Sequence, residues 1–282
     1  MNTDNKNKSN NNNKPAPKFN LSADQSFEFS LKLKKADIKK LYQQIINQAS
    51  QTIKIDGFRP GKAPANIVES KIDLSKVYEQ IIQQLLPPIY SQFIEKNKLK
   101  PILQPKILLE NPPLNTEKDW QFKVMSCQKP ILKLKKYQDE LKKINKRYQK
   151  GDNKQLHIQA ILNLLAQQSE LKLPQILIDT EINHRLSQLV NNVSKAGLKL
   201  DQYFKNNKTS LEKYKQEVEI DLYKKWKIDL ALDKIASDNK IKVDKTELDK
   251  TIASTPNGQQ RKAFIEYILI QQKTIEFLQK NK

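Results

Sequence analysis

Ten consecutive residues, Ile55-Asp56-Gly57-Phe58-Arg59-Pro60-Gly61-Lys62-Ala63-Pro64, combine the side chains of a contact site with the residues that shape a loop. The chain has 5 glycines in 282 residues, and two of them fall here beside two of its 13 prolines. Glycine reaches backbone angles closed to other residues and proline stiffens what remains, so this punctuation predicts a loop of defined shape. Phe58 and Arg59 at its tip have no periodic apolar partners that would draw them into a core. An aromatic ring beside a guanidinium on a stiff, exposed loop suits contact with a protein or RNA surface. Phosphate binding is not the chemistry offered: no G-x-x-x-x-G-K-S/T pattern occurs, and proline interrupts the backbone N–H donors a phosphate loop needs.

The remaining reactive residues are sparse. His157 and His184 fall on separate predicted helices without a nucleophile or metal ligand beside them, and read as helix-surface residues. Cys127, the only cysteine, excludes an intramolecular disulfide and a cysteine-based zinc site, and its place on a predicted strand suits packing better than reaction. No catalytic residue, cofactor or metal is expected, and ATP-driven cycling has no basis in the sequence. Trp120 is expected to anchor a sheet. Trp226, on a basic helix with Tyr223, suits either a substrate-facing surface or a plain helix–helix contact.

The elements that must position the loop follow from periodicity. Residues 1–19 are Asn- and Lys-rich and are expected to be a disordered tail, too polar to offset the entropy of ordering. Ser26 to Leu33 alternates polar and apolar residues, which predicts a half-buried strand. A helix follows with Ile38, Leu41, Ile45 and Ala49 on one face, and the loop comes after it. A short helix is expected over 65–71, then a longer one from Asp73 whose apolar pairs recur every four residues from Val77/Tyr78 to Phe93/Ile94. Pro87-Pro88 predicts a kink or break in it with the same face still buried. Strands are expected at 107–109 and 120–125. Together these make an α+β domain over 20–134.

From Lys135 to the end, 135–282, the pattern is helical: one helix over 141–166, a second opened by Leu173-Pro174 and stopped by Gly197, a third over 211–236, and two more after Val243 and around Arg261. Leu162, Leu165, Ala166, Leu171, Leu173, Ile178 and Ile182 have apolar counterparts 70 residues on, from Leu232 to Ile252. This echo fits either a repeated helical hairpin or two hairpins that look alike. The net charge of +20 invites nucleic-acid contact, yet abundant Lys, Asn, Ile and Gln also fit a compositional background. No apolar run reaches the roughly 18 residues of a membrane span, and residues 1–18 lack the apolar core of a secretory signal, so a cytoplasmic protein without membrane partners is expected.

The stretch Ile55 to Pro64, followed by Ile67-Val68, resembles the ribosome-binding signature of the bacterial trigger factor family, Gly-Phe-Arg-x-Gly-Lys-x-Pro, and matches it at every fixed position. Leu171 to Ile182 is similar to the point in the family's carboxy-terminal domain where a helix begins after a Val-Pro or Leu-Pro step. The resemblance implies an α+β amino-terminal ribosome-binding domain followed by an all-α, arm-like chaperone domain. It implies ribosome binding near the exit tunnel, to protein and rRNA, by Gly57, Phe58, Arg59, Pro60, Gly61, Lys62 and Pro64. Unfolded or nascent polypeptides are the implied clients, and DNA is not an implied partner. A basic rRNA- or ribosome-binding protein without chaperone activity is the alternative. Full-length members carry an FKBP-like prolyl isomerase domain of roughly a hundred residues between these parts. Here Ile131-Leu132-Lys133-Leu134 runs almost directly into the helix near Tyr137, so isomerase activity is expected to be absent.

Overall fold

The computed structural model of the chain describes residues 19–59, 61–148 and 153–280. They form two compact units that divide between Lys129 and Pro130. The expected tail falls outside the described residues except for Phe19, whose ring packs edge-on against Phe93 at 5.9 Å and so belongs to the first unit.

The first unit is a four-stranded antiparallel sheet covered by helices. Its elements are β1 (Asn20–Leu21), β2 (Ser26–Leu33), α1 (Lys35–Thr52), α2 (Ala65–Glu69), α3 (Leu74–Lys96), β3 (Lys106–Leu109) and β4 (Trp120–Cys127), with strand order β1-β2-β4-β3. The alternation read in β2 is real: Phe27, Phe29, Leu31 and Leu33 are buried while Glu28, Ser30 and Lys32 face solvent. Opposite them in register stand Trp120, Phe122 and Val124 of β4, and Ile38, Ile45, Val77, Ile81, Leu86 and Phe93 close the core from the helices. Trp120 anchors the sheet as expected, fully buried, with its indole N–H donating to the Asn115 carbonyl at 2.7 Å. Asp119, beside it, accepts from the Lys35 N–H at 2.7 Å, capping α1 from across the fold.

Helix α3 runs unbroken through Pro87 and Pro88. Both prolines lie on the exposed side, so the Gln83 and Gln84 carbonyls that lose their i+4 donors are on residues in contact with water, and the buried Ile81–Leu86–Phe93 face continues past them.

The second unit contains β5 (Leu132–Leu134), α4 (Gln138–Tyr148), α5 (Lys154–Gln167), β6 (Ser169–Leu171), α6 (Gln175–Lys195), α7 (Leu200–Asn206), α8 (Leu211–Asp238), α9 (Lys245–Ser254) and α10 (Lys262–Lys280). It is helical apart from the β5–β6 ribbon, which pairs Leu132 with Leu171 and so joins residues 132–134 to this unit rather than the first. Tyr137, Leu141, Ile161, Leu164, Leu165, Leu232, Ile235 and Leu278 form its core. A smaller cluster of Leu248, Ile252 and Ile265 ties α9 to α10.

The single helix expected over 141–166 is two helices. Residues 149–152 between them lie outside the described residues, and Asn153 caps the start of α5 by accepting from the Gln155 N–H. An asparagine at this position favours a cap because its side chain bonds the backbone of the next turn. Pro174 takes the N-cap position of α6, one residue before the first turn. Gly197 ends that helix in the left-handed region, φ +72, with the Leu198 N–H returning to the Val193 carbonyl.

Candidate functional site

The loop between α1 and α2 is built from two tight turns and one tether. Helix α1 ends when the Ile53 backbone turns extended, with its N–H still bonded to Ala49. The Phe58 N–H donates to the Ile55 carbonyl at 3.1 Å, and Gly57 between them has φ +84. That combination fits a type II turn, in which the third position favours glycine. A second turn repeats the device: the Lys62 N–H donates to the Arg59 carbonyl at 3.0 Å, with Gly61 at φ +78. The Gly61 N–H then donates to the Ser50 carbonyl at 2.8 Å, fastening the loop to the last turn of α1. A Cβ on Gly61 would meet the Gln51 side-chain amide, 2.5 Å from its oxygen. Pro64 caps α2, and its carbonyl accepts from Ile67 and Val68.

Apolar side chains on either side hold the frame. Ile53, Ile55 and Ala63 are partly buried against the first core, and Val68 is wholly buried. The helices flanking the loop also meet: the Tyr42 phenol of α1 is pushed up to about 12 by burial, reinforced by the charge of Glu69 on α2 and a hydrogen bond to it. Phe58, by contrast, is 43% exposed, and Arg59 and Lys62 are exposed beside it. No ion pair joins Asp56 to Arg59 among the described residues. Gly57, Phe58, Arg59, Gly61, Lys62 and Pro64 therefore share one short surface loop. Pro60 lies outside the described residues.

The other candidates behave as packing residues. Cys127 is buried and its thiol is pushed up to about 11 by burial, with Asp24 adding to the shift. His157 stacks on Tyr148, bonds Asn145 through Nε2 at 2.8 Å, and is held below the usual imidazole value by burial. His184 is exposed and bonds Gln188, one turn along its helix. No cluster of three metal-ligating side chains occurs among the described residues.

Two open grooves of the second unit carry no motif and were not legible as such. One, of about 660 Å³, lies between α5 and α8 and is lined by Ala166, Gln167, Ile220, Tyr223, Lys224 and Lys227, with Ile220 67% exposed. The other, of about 250 Å³, lies between α9 and α10 around Phe264 and Ile268, with the Arg261 guanidinium 5.2 Å from the Phe264 ring centre. The one available signal was Ile220, an apolar residue outside the Val218–Leu222 stripe that α8 buries.

Against this geometry the comparisons with known proteins are direct. The family model described as bacterial trigger factor protein (TF) matches residues 18–160, and the one described as bacterial trigger factor protein (TF) C-terminus matches residues 133–280, just over half the chain. The chain belongs to the trigger factor family. Because the two matched regions overlap, no third domain stands between them, and this member lacks the family's prolyl isomerase insert. The trigger factor of Treponema denticola is 33% identical over 112 residues, 39% of this chain and 25% of that protein. That of Fusobacterium nucleatum is 27% identical over 165 residues, 51% of this chain and 38% of that protein. These matches thus span only a quarter to two fifths of the length of those relatives. A solved structure from a study of promiscuous substrate recognition in the folding and assembly activities of the trigger factor chaperone superposes with TM-score 0.61 at 11% identity, covering 93% of this chain and 99% of that one. At that identity the likeness establishes the fold. Among the described residues no helix is long and apolar enough to cross a membrane.

Proposed function

We propose that this trigger factor is an ATP-independent molecular chaperone of the cytoplasm that docks on the ribosome near the exit tunnel and shields nascent chains. Docking runs through Gly57, Phe58, Arg59, Pro60, Gly61, Lys62 and Pro64. The observation that carries this reading is the division of labour in the loop: glycine turns and a tether to Ser50 hold its shape while Phe58, Arg59 and Lys62 stay exposed. Phe58 supplies an apolar anchor, and the two cations supply charge-assisted contacts to rRNA phosphates or acidic side chains of a tunnel-rim protein. The helical unit offers clients scattered apolar residues ringed by Lys and Gln, as in the groove at Ile220 and Tyr223. Each exposed client segment gains about 25 cal/mol per Å² removed from water. Ordering costs hold the net affinity down, so clients leave as they fold and no nucleotide is needed. Prolyl isomerisation is outside its repertoire.

Ribosome co-sedimentation tests the docking claim. Replacing Phe58, Arg59 and Lys62 together by alanine should weaken binding by at least about tenfold; equal co-sedimentation of both proteins would refute it. The net charge of +20 favours a second reading, a basic rRNA-binding protein that does not chaperone. That protein would bind with steep salt dependence and leave the aggregation of an unfolded client unchanged, whereas the chaperone suppresses it.

A further inference from the structure

We infer that the solvent face of α4 is a docking ridge for RNA, held through the sugar–phosphate backbone and separate from the loop at 57–64. Lys142, Lys143, Lys146 and Arg147 put four cations into six residues with no carboxylate among them. Leu141 and Asn145 are buried and Ile144 and Tyr148 partly so. At 3.6 residues per turn the four cations fall on the opposite side of the helix, and all are exposed. A compositional background does not produce this segregation. Under the same background α8 carries six lysines against seven carboxylates, and α6 and α9 each carry two cations against two. Nothing among the described residues neutralises the ridge: Lys133 and Lys135 reach Glu170 at 4.0 and 2.6 Å, whereas no ion pair holds any of the four. The helix dipole favours Asp139 and Glu140 in the first turn and Lys146 and Arg147 in the last, but it does not account for Lys142 and Lys143. Lys142 stands one turn before Lys146, and Lys143 one turn before Arg147, like-charge spacings that cost the helix stability. An anionic strand laid along the ridge relieves both.

What the ridge lacks selects the occupant. α4 exposes no apolar side chain, because its apolar face lies in the core. It therefore offers a membrane nothing to insert and a protein no apolar centre of the kind that carries most binding energy. Phosphates need neither, since cations along a strand gain affinity by releasing condensed counterions. Each like-charge pair is separated by about 6 Å along the helix axis, a repeat that suits successive phosphates of one strand. At the end of the ridge the Arg147 guanidinium lies 5.9 Å from the Tyr148 ring centre, and that ring stacks on His157. An unstacked base beside the ridge thus meets an aromatic and guanidinium edge. The ridge itself does not depend on the ribosome-docking reading; naming RNA rather than DNA does.

The test uses the full chain and a labelled oligouridylate in fluorescence anisotropy over a salt series. Replacing all four cations by glutamine should weaken binding at least about tenfold at low salt and make the slope of log affinity against log salt shallower by about 3, the single-strand value for four phosphates. Lys142→Gln with Lys146→Gln, a milder change to the helix, should take about half of that slope. Glutamine at Lys205, Lys208, Lys213 and Lys215, four exposed lysines of the same unit, removes the same net charge and should change binding less than about threefold. Arginine at 142, 143 and 146 keeps the charge and should keep the affinity. The alanine variant of Phe58, Arg59 and Lys62 should keep most of the oligonucleotide affinity, so this proposal and the docking reading fail separately. Equal losses in the two charge-matched variants, an unchanged salt slope, or a loss in the loop variant as large as that of the ridge variant would overturn the proposal. So would tighter binding to polyglutamate or to phosphatidylglycerol vesicles than to the oligonucleotide.

Discussion

Between α1 and α2, two positive-φ glycines and one hydrogen bond from Gly61 to Ser50 hold three exposed side chains on a short loop. On α8 and α10, Ile220, Tyr223, Phe264 and Ile268 project from regular helices that ask nothing unusual of the backbone. The first arrangement stores its specification in main-chain geometry, where a single Cβ disturbs it. The second stores it in composition, where neighbouring apolar residues substitute for one another. A surface of the first kind suits one fixed partner, and a surface of the second kind suits many.

Substitutions break or sharpen this contrast, and the largest effects belong to the cores that support the two surfaces. Trp120→Ala and Leu165→Ala each empty a fully buried site and should cost about 3–5 and about 2–5 kcal/mol respectively in urea denaturation. Trp120→Ala should also weaken ribosome binding, because the sheet supports the frame of the loop. Gly57→Ala is the sharper instrument. Nothing lies within 4 Å of the added Cβ, so its cost comes from φ +84 alone, about 1–2 kcal/mol. It should lower ribosome affinity while leaving client aggregation assays unchanged. If it leaves both unchanged, main-chain geometry is not what specifies the loop.

A smaller effect is set by pH in the helical unit. Burial holds His157 below the usual imidazole value, so the folded state resists protonation while the unfolded chain accepts it. Stability is then complete above about pH 6.5 and declines as pH falls below the unfolded value. His157→Gln should flatten the curve between about pH 7 and pH 5. A separate acid loss belongs to the first unit. Hydrogen bonds from Lys35 and Lys39 bring the Glu117 carboxyl down to about 2, so its contribution persists until pH falls below the usual carboxylate range. The smallest change expected is in client holding by Ile220→Ser, less than about twofold, because the remaining apolar residues of a dispersed surface share the contact. A complete loss of holding would mean that the helical unit has a single anchor after all.

Much of this was legible in the residues. Strict alternation from Ser26 to Leu33, four-residue spacing in α1 and α3, and the glycine–proline cluster at 57–64 each write a local signal stronger than the background. The helix expected over 141–166 failed because apolar spacing carries across a short interruption, and the cap at Asn153 is a one-residue signal. Helix α7 escaped notice because seven residues with a single buried side chain, Phe204, have almost no periodicity to read. The grooves were illegible for a different reason: an apolar residue that faces solvent and one that faces a core look alike until the helices are packed. The two copies of the 70-residue echo share buried positions, Leu165 and Ile235, but only the first forms a strand, β6, after its helix.

Pro87 and Pro88 give α3 an unusual signature. With no amide hydrogens at Pro87 and Pro88, those two exposed positions give no deuterium-exchange signal, while the amides of Ile81 and Leu86 on the dry side still report. Such a helix draws its cohesion from Ile81, Leu86 and Phe93 rather than from an uninterrupted hydrogen-bond ladder. Trimming those side chains should therefore loosen it well before any change to the polar residues between them does.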